Sequence, residues 1–462
     1  MSDQSLTTGS VSRAVLSVSA PMTLGILGVL SVGLADAYFL GRMGRTELAA
    51  VGYIYPVTVS VTSLSIGLAA GANAALSQSI GRGTPEDDTH RMALHALALG
   101  LVVGVSVGAA LWLLQGRIFG LIGAAGPVTG EIADYVFWWA MSFPFLVLSM
   151  LVGAMFRARG DGVTASVIMV SQATTNIVLD PLLIFGVGPF PQMSTGGAGL
   201  ATFLVRVGAT LGGLWWAWRK GHLSTARDPF RQVWQSIRLI GGVGLPAAIS
   251  NAINPAGMAM VTAAVATLGE AAVAGFGAAT RVQSLAIVPL LALSAGIGPV
   301  VGQNWGAAQS DRARGAVRVT FLMCAGYGAC VGTVLILFAA PIASAVAAGP
   351  EDATIAATYL RIVGLSLFGY GVLVTGNAAM NARSRAMWSM GLSAGRIFAV
   401  YLPLAWILVG LFGFPGIAAA AATANVAAAL AMLGATWATG LSPFGTGQGA
   451  APKTQQPSAA SS

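Results

Sequence analysis

The stretch that decides the fold lies near the start of the chain, where residues 14–41 read AVLSVSAPMTLGILGVLSVGLADAYFLG. Its only charged side chain is Asp36. A helix rises 1.5 Å per residue, so about 20 apolar residues cross the roughly 30 Å hydrocarbon core of a bilayer. The stretch therefore predicts a transmembrane helix. Residues 1–13 before it do not have the pattern of a removable signal peptide, so we expect this helix to be retained.

The composition of the whole chain agrees with a membrane protein. Of its 462 residues 56% are hydrophobic and only 8% are charged, and the mean hydropathy is +0.78, whereas about a quarter of the residues in a soluble domain are charged. The net charge of +8 comes from Lys and Arg residues spread over short loops rather than gathered on one basic face, which argues against nucleic-acid binding. We predict an all-α protein that spans the membrane many times.

The apolar runs divide into about twelve transmembrane helices when they are cut at Gly, Pro and charge clusters. In the first half these spans are 14–41, 49–80, 92–116, 132–156, 164–187 and 197–218, and in the second half 239–267, 272–303, 316–340, 354–379, 387–411 and 415–439. This division predicts an N-terminal six-helix lobe (14–218), a cytoplasmic linker (219–238) and a C-terminal six-helix lobe (239–440). We expect a cytoplasmic N-terminus (1–13) and a disordered cytoplasmic tail (441–462).

The orientation in the membrane follows from the positive charges of the loops. The odd-numbered loops contain only Arg42, Arg45 and Arg117, and the other loop Lys and Arg residues lie in the even-numbered loops. Positively charged loops stay in the cytoplasm. We therefore expect a multi-pass protein of a bacterial inner membrane with both termini in the cytoplasm.

The two halves repeat each other. Sliding the chain along itself places Pro21 on Pro246 and Pro181 on Pro403, and the neighbouring Gly and Ala residues follow with small shifts. Two pseudo-symmetric bundles with a cavity between them are a common architecture for alternating-access transport.

The halves differ in their intramembrane charges. Asp36 and Asp180 lie inside the first and fifth spans, and the repeat places Val261 and Leu402 at the matching positions. A carboxylate in the hydrocarbon region costs at least about 2.5–3.5 kcal/mol, so such a residue is a functional candidate by default.

Four polar residues are predicted to converge on one site in the N-terminal lobe. Asn176 precedes Asp180 by four residues and so shares its helix face. Counting along their helices places Asp36, Asp180 and Thr202 roughly 8–11 Å below the outer surface. The proline after Asp180 frees a backbone carbonyl. These oxygens suit a monovalent cation such as Na⁺, or a carboxylate pair that shares a proton. We predict no other metal and no cofactor.

The sequence also suggests a structural alternative for the two aspartates, a hinge and several substrate contacts. Asp36 and Asp180 could instead pair with Arg206 in a structural salt bridge. Pro21, in the helix of Asp36, is a candidate hinge. Candidate substrate contacts are Arg206 and the neighbouring amides Asn251 and Asn254.

Two further intramembrane arginines lie in the second half. We expect Arg361 and Arg396 to extend along their helices to an interface, as long basic side chains in membranes often do.

These motifs together resemble the multidrug and toxin extrusion (MATE) family. The resemblance rests on Ser19–Met22 and Asp36–Gly41 in the first helix, Arg159–Gly162 after the fourth, Asn176–Pro181 in the fifth and Gly197–Thr202 in the sixth, and it covers about residues 13–440. It implies a monomer with two lobes in a V shape, which exports amphipathic and often cationic compounds in exchange for H⁺ or Na⁺. It also implies that Asp36, Asn176, Asp180 and Thr202 bind the coupling ion.

One departure from the family pattern narrows the resemblance to a single branch. The NorM-like branch of the family has acidic residues in the seventh and tenth helices, whereas residues 246–254 and 368–377 contain none, as in a DinF-like branch.

Three other functions remain as alternatives. A lipid-linked sugar flippase of the same superfamily is the main alternative, but it would need a more basic cavity. A channel would need no coupling site. A membrane enzyme is disfavoured because His90, His95 and His222 are scattered.

Overall fold

A computed structural model describes residues 6–445, so that most of the predicted tail lies outside the described residues. The N-terminal lobe contains α1 (Val11–Met43), α2 (Arg45–Gly81), α3 (Glu86–Leu121), α4 (Val128–Ala158), α5 (Gly162–Phe185) and α6 (Ser194–Arg219). The C-terminal lobe contains α7 (Val233–Ala266), α8 (Glu270–Ala286), α9 (Val288–Gly306), α10 (Ser310–Leu337), α11 (Ala339–Val346), α12 (Pro350–Gly364), α13 (Leu367–Ala382), α14 (Ala386–Ala394), a π-helical segment (Gly395–Tyr401), α15 (Leu402–Phe412) and α16 (Phe414–Ala438).

The expected all-helical membrane fold is confirmed. Within residues 6–445, ten helical segments are long and apolar enough to cross a membrane, and the number is twelve when two bent helix pairs each count as one span. The bends were not predicted. The helix axis bends by 41° between α8 and α9, and by 59° between α12 and α13. Pro289 is the second residue of α9 and has no backbone N–H to continue the preceding helix, which explains the first break.

The two lobes pack through small residues of α2 and α7. A Cβ atom built at Gly67 would overlap the backbone of Gly244 and Ala248, and one at Gly71 would overlap the carbonyl oxygen of Ile240. Helices in membranes approach closely where such small residues line up. Here the absence of side chains at two glycines one turn apart lets the backbones of the two lobes touch.

Hydrogen bonds between the lobes gather at one end of the molecule, which we call the base and define by Leu6, Gln78, Gln303 and Ala382. The backbone N–H of Leu6 donates to Oε1 of Gln303 at 3.2 Å, and Nε2 of Gln303 donates to the carbonyl of Ala158 at 2.7 Å. Nε2 of Gln78 donates to the carbonyl of Ala382 at 2.6 Å. The lobes are thus joined by hydrogen bonds at the base.

The connection between α4 and α5 is held by a capping aspartate. Asp161 accepts hydrogen bonds from the backbone N–H and the hydroxyl of Thr164, at 2.9 and 2.7 Å, and Nζ of Lys220 donates to its Oδ2 at 2.6 Å. Burial raises the pKa of Asp161, but the bonds from Lys220 and Thr164 outweigh burial and leave this pKa below its ordinary value. The cap satisfies an otherwise unpaired amide at the start of α5, the helix that bears Asn176 and Asp180.

Candidate functional site

The site in the N-terminal lobe is built around Asp180 in α5. Asp180 is fully buried and Asn176 is 4% exposed, so this face of α5 points into the lobe. Nδ2 of Asn176 donates a hydrogen bond to Oδ1 of Asp180 at 3.3 Å, as their spacing in sequence predicts. The amide thereby orients one oxygen of the carboxyl group, while Oδ2 is buried without a hydrogen-bond partner.

Asp36 in α1 meets Asp180 across the lobe. Their carboxyl groups lie within hydrogen-bond reach of each other, and Oδ1 of Asp36 is also buried without a partner. Two carboxyl groups attract each other only when a proton lies between them or a cation neutralises them, because two bare carboxylates repel. Two orphaned, buried oxygens are therefore available to a proton or a monovalent cation.

Tyr135 in α4 completes this cluster and was not predicted from the sequence. Its hydroxyl lies close to the side chain of Thr202 in α6 and to the carboxyl groups of Asp36 and Asp180. The predicted residue Thr202 thus reaches the cluster through Tyr135. A lone tyrosine in an apolar span has no local signal in sequence, since its position depends on how α4 packs against α5 and α6.

Arg206 lies beside the cluster without pairing to it. Nη1 of Arg206 donates to the hydroxyl of Ser142 at 2.6 Å, and the guanidinium lies 5.2 Å from the ring centre of Trp139. Across residues 6–445 no carboxylate forms an ion pair with Arg206 within 4.0 Å. The structural salt bridge considered above is therefore absent, and the positive charge acts on the carboxyl pair from a distance.

Pro21 lies in α1 on the base side of Asp36. Its carbonyl oxygen accepts a hydrogen bond from the hydroxyl of Ser166 in α5. Proline cannot donate the usual helix bond to the carbonyl four residues earlier. The segment of α1 around Pro21 is thus weakened internally and tied to the helix that contains Asp180.

The candidate contacts of the C-terminal lobe are arranged differently. Nδ2 of Asn251 donates to the carbonyl of Ala247 in its own helix at 2.8 Å, whereas Oδ1 of Asn254 accepts a hydrogen bond from Arg396 at 3.0 Å. Arg396 was expected to extend to an interface, and this expectation is wrong because its partners come from neighbouring helices. Arg361, in contrast, is exposed. Val261, the counterpart of Asp36, is fully buried in an apolar cluster.

The donor set limits what the site can bind. Among residues 6–445 no group of three or more His, Cys, Asp or Glu side chains could hold a metal ion. Two carboxyl groups with neutral hydroxyl and amide neighbours fit a single positive charge, as a proton or Na⁺, better than a divalent ion.

Comparisons with known proteins agree with this architecture. The family model described as MatE matches residues 21–182 and again 246–407, one match in each lobe. The FAD transporter of Shewanella oneidensis is 32% identical over 426 residues, which are 91% of this chain and 93% of that protein. The probable multidrug resistance protein NorM of Thermotoga maritima is 27% identical over 390 residues, 82% of each chain.

A solved structure shares the fold. The crystal structure of a variant of VcmN, a MATE transporter of Vibrio cholerae, superposes with a TM-score of 0.88 at 26% identity, and covers 93% of this chain and 98% of that one. Because the family model matches both lobes and a relative above 30% identity spans most of both chains, this protein belongs to the MATE family of the MOP superfamily, whose members are membrane transporters rather than enzymes.

Proposed function

We propose that this protein is a secondary antiporter that exports amphipathic organic compounds, including organic cations, in exchange for H⁺ or Na⁺. The observation that carries the proposal is the contact between the carboxyl groups of Asp36 and Asp180, buried inside a membrane lobe with an unpaired oxygen on each. Such a pair is stable when it holds one positive charge and is destabilised when it loses that charge. It can therefore couple ion binding to a change of shape.

The proposed cycle uses the proline of α1. The ion enters from the open end of the cleft and is shared by the carboxyl groups of Asp36 and Asp180, which relieves the repulsion between them. The two helices then draw together, and α1 bends at Pro21, where one backbone hydrogen bond is missing. The bend narrows the lobe and displaces the substrate outward, and the ion leaves on the cytoplasmic side after the lobes rearrange.

Two finer assignments belong to the same proposal. With both termini in the cytoplasm, as the basic loops predict, the base faces inward and the cleft opens outward. The helix stretches 246–254 and 368–377 contain no acidic residue, so the coupling site lies in the N-terminal lobe alone and the chain fits a DinF-like branch. Thr202, through Tyr135, and Asn176 position the carboxyl pair.

The test is ethidium transport in proteoliposomes with either a pH gradient or a Na⁺ gradient. We expect one of the gradients to drive transport by the wild type, and Asp36→Asn and Asp180→Asn each to abolish it. Asp134→Asn, which changes an exposed aspartate of α4, is the matched control and should transport normally. Normal transport by both site variants would show that the aspartates are structural.

A further inference from the structure

A second charged cluster lies in the interior of the C-terminal lobe, centred on Arg396. Its Nε donates to Oδ1 of Asn425 in α16 at 3.2 Å, and its Nη1 donates to Oδ1 of Asn254 in α7 at 3.0 Å. The guanidinium also lies 5.3 Å from the ring centre of Tyr370 in α13. Contacts from three helices place this arginine inside the lobe.

The arginine has no counter-ion. In residues 6–445, no carboxylate lies within ion-pair distance of Arg396, and its bonds to Asn425 and Asn254 use two of the five guanidinium donors. Neutral amides orient a guanidinium but do not neutralise it. An unpaired positive charge inside a membrane lobe is costly and marks a functional site by default.

The residues around Arg396 differ in their exposure. Arg396, Asn254 and Tyr370 each keep part of their surface exposed, while Asn425 is 1% exposed. The hydroxyl groups of Tyr359 and Tyr401, two buried tyrosines, lie near Arg396 and next to each other. The hydroxyl of Tyr401 has no hydrogen bond of good geometry. The partly exposed side of this cluster therefore offers a guanidinium without a counter-ion and the ring of Tyr370.

The backbone at this point is unusual. Arg396 is the second residue of the π-helical segment Gly395–Tyr401, which separates α14 from α15 in the same span. Short π-helical segments within α-helices are rare and occur often at functional sites. The extra residue in this turn shifts the side chains that follow around the helix axis relative to those of α14.

We propose that Arg396, oriented by Asn254 and Asn425 and lying against the ring of Tyr370, binds the phosphate or carboxylate group of an aromatic substrate. The inference rests on the proposed function, since it names a class of compound that the exporter transports. A planar guanidinium matches a carboxylate or phosphate with two parallel hydrogen bonds, and the partly exposed ring of Tyr370 suits an aromatic body. The two lobes would then have different roles, because acidic groups in the N-terminal lobe hold the coupling ion and a basic group in the C-terminal lobe holds the anionic part of the substrate.

The test compares two fluorescent probes that share one aromatic ring system, riboflavin and riboflavin 5′-phosphate. The full-length protein is placed in phosphatidylcholine nanodiscs, and binding is measured by quenching of flavin fluorescence. We expect the wild type to bind the phosphate ester at least about tenfold more tightly than riboflavin, as a charge-assisted bond would give. Arg396→Gln should remove this preference without changing riboflavin binding. Arg396→Lys, which keeps the charge but not the planar fork, should retain part of it.

Several results would overturn the proposal. The wild type could fail to prefer the phosphate ester, or Arg396→Gln could weaken both flavins equally, as a purely structural arginine would. If Arg396→Gln does not fold, Arg396→Lys provides the test. An undiminished preference of Arg396→Lys for the phosphate ester would show that the planar guanidinium does not bind the phosphate. Loss of the preference for the phosphate ester in nanodiscs rich in phosphatidylglycerol would show that Arg396 binds a lipid headgroup instead.

A separate variant distinguishes this proposal from the proposed function. Asp36→Asn should abolish ion-driven transport and leave the preference for the phosphate ester intact. If Asp36→Asn transports normally, ion coupling through the aspartates fails while the anion site still stands. If the preference is lost with Asp36→Asn and kept with Arg396→Gln, the anionic group binds elsewhere.

Discussion

Asn176 and Asp180 lie one helical turn apart on α5, and Nδ2 of Asn176 donates to Oδ1 of Asp180 at 3.3 Å. The bond occupies one carboxyl oxygen and leaves Oδ2 buried and unpaired, beside the carboxyl group of Asp36. In the proposed mechanism the amide fixes the orientation of the carboxyl group, so that its free oxygen points to the ion position. Removing this hydrogen bond with Asn176→Ala tests the orienting role of the amide.

Asn176→Ala should raise the coupling-ion concentration required for half-maximal transport by about tenfold, because a buried hydrogen bond to a charged group contributes about 1.5–3 kcal/mol. The maximal rate at saturating ion should change less. The measurement is ethidium transport over a series of H⁺ or Na⁺ concentrations. Thr175→Ala, an exposed position next in sequence, is the control; equal effects of the two substitutions would refute an orienting role for the amide.

Pro21→Ala should lower the rate of transport by about an order of magnitude and leave the affinity for substrate unchanged, because it restores a backbone hydrogen bond where α1 is proposed to bend. Ser166→Ala, which removes the hydroxyl bonded to the Pro21 carbonyl, should act more weakly. Rates and binding are measured separately, in proteoliposomes and in nanodiscs. A Pro21→Ala protein with wild-type rates would exclude bending at this proline.

Gly71→Ala should loosen the contact between the lobes, because its Cβ atom would overlap the carbonyl oxygen of Ile240. Overpacking of this kind typically costs about 1–3 kcal/mol, so the unfolding temperature should fall. Gly52→Ala, in the same helix with open space around its Cβ position, should be nearly neutral. Thermal unfolding in detergent compares the two, and a similar stability of both variants would mean that α2 and α7 do not meet closely in the membrane.

The Asp161 cap predicts a pH dependence outside the membrane. Its pKa in the folded protein lies below the ordinary value, so the stabilisation is fully present above the unfolded-state pKa of about 3.9 and is lost as the pH falls through the lower folded pKa. Lys220→Met should therefore lower the unfolding temperature at neutral pH, and the difference from wild type should shrink below about pH 4. A difference that is constant with pH would show that Lys220 acts through packing alone.

The proximity of Asp36, Asn176 and Asp180 could be predicted from sequence because its signals are local. The four-residue spacing of Asn176 and Asp180 sets a shared helix face wherever the helix lies. The depth count along the helices placed Asp36 and Asp180 at one level, and the structure brings their carboxyl groups together. These arguments need only helix geometry and the thickness of the membrane.

The features that sequence missed depend on packing between helices. Tyr135 joins the cluster because α4 lies against α5 and α6, which no local pattern shows. Arg396 was expected at an interface because a long basic side chain can extend there, but the π-helical segment and the amides of Asn254 and Asn425 hold it inside the lobe. The bend between α12 and α13 likewise reflects tertiary packing, since no proline lies at the break.

We propose that Asp36 and Asp180 couple ion binding to substrate binding. The decisive measurement is the affinity for ethidium in nanodiscs as a function of pH and of Na⁺ concentration. Antiport through this site requires that ion and substrate oppose each other's binding, and the opposition must be reciprocal. We expect one of the two ions to weaken ethidium binding to the wild type severalfold and to have no effect on Asp180→Asn. Ethidium affinity that is independent of both ions in the wild type, or that depends on them equally in Asp180→Asn, would contradict the proposal.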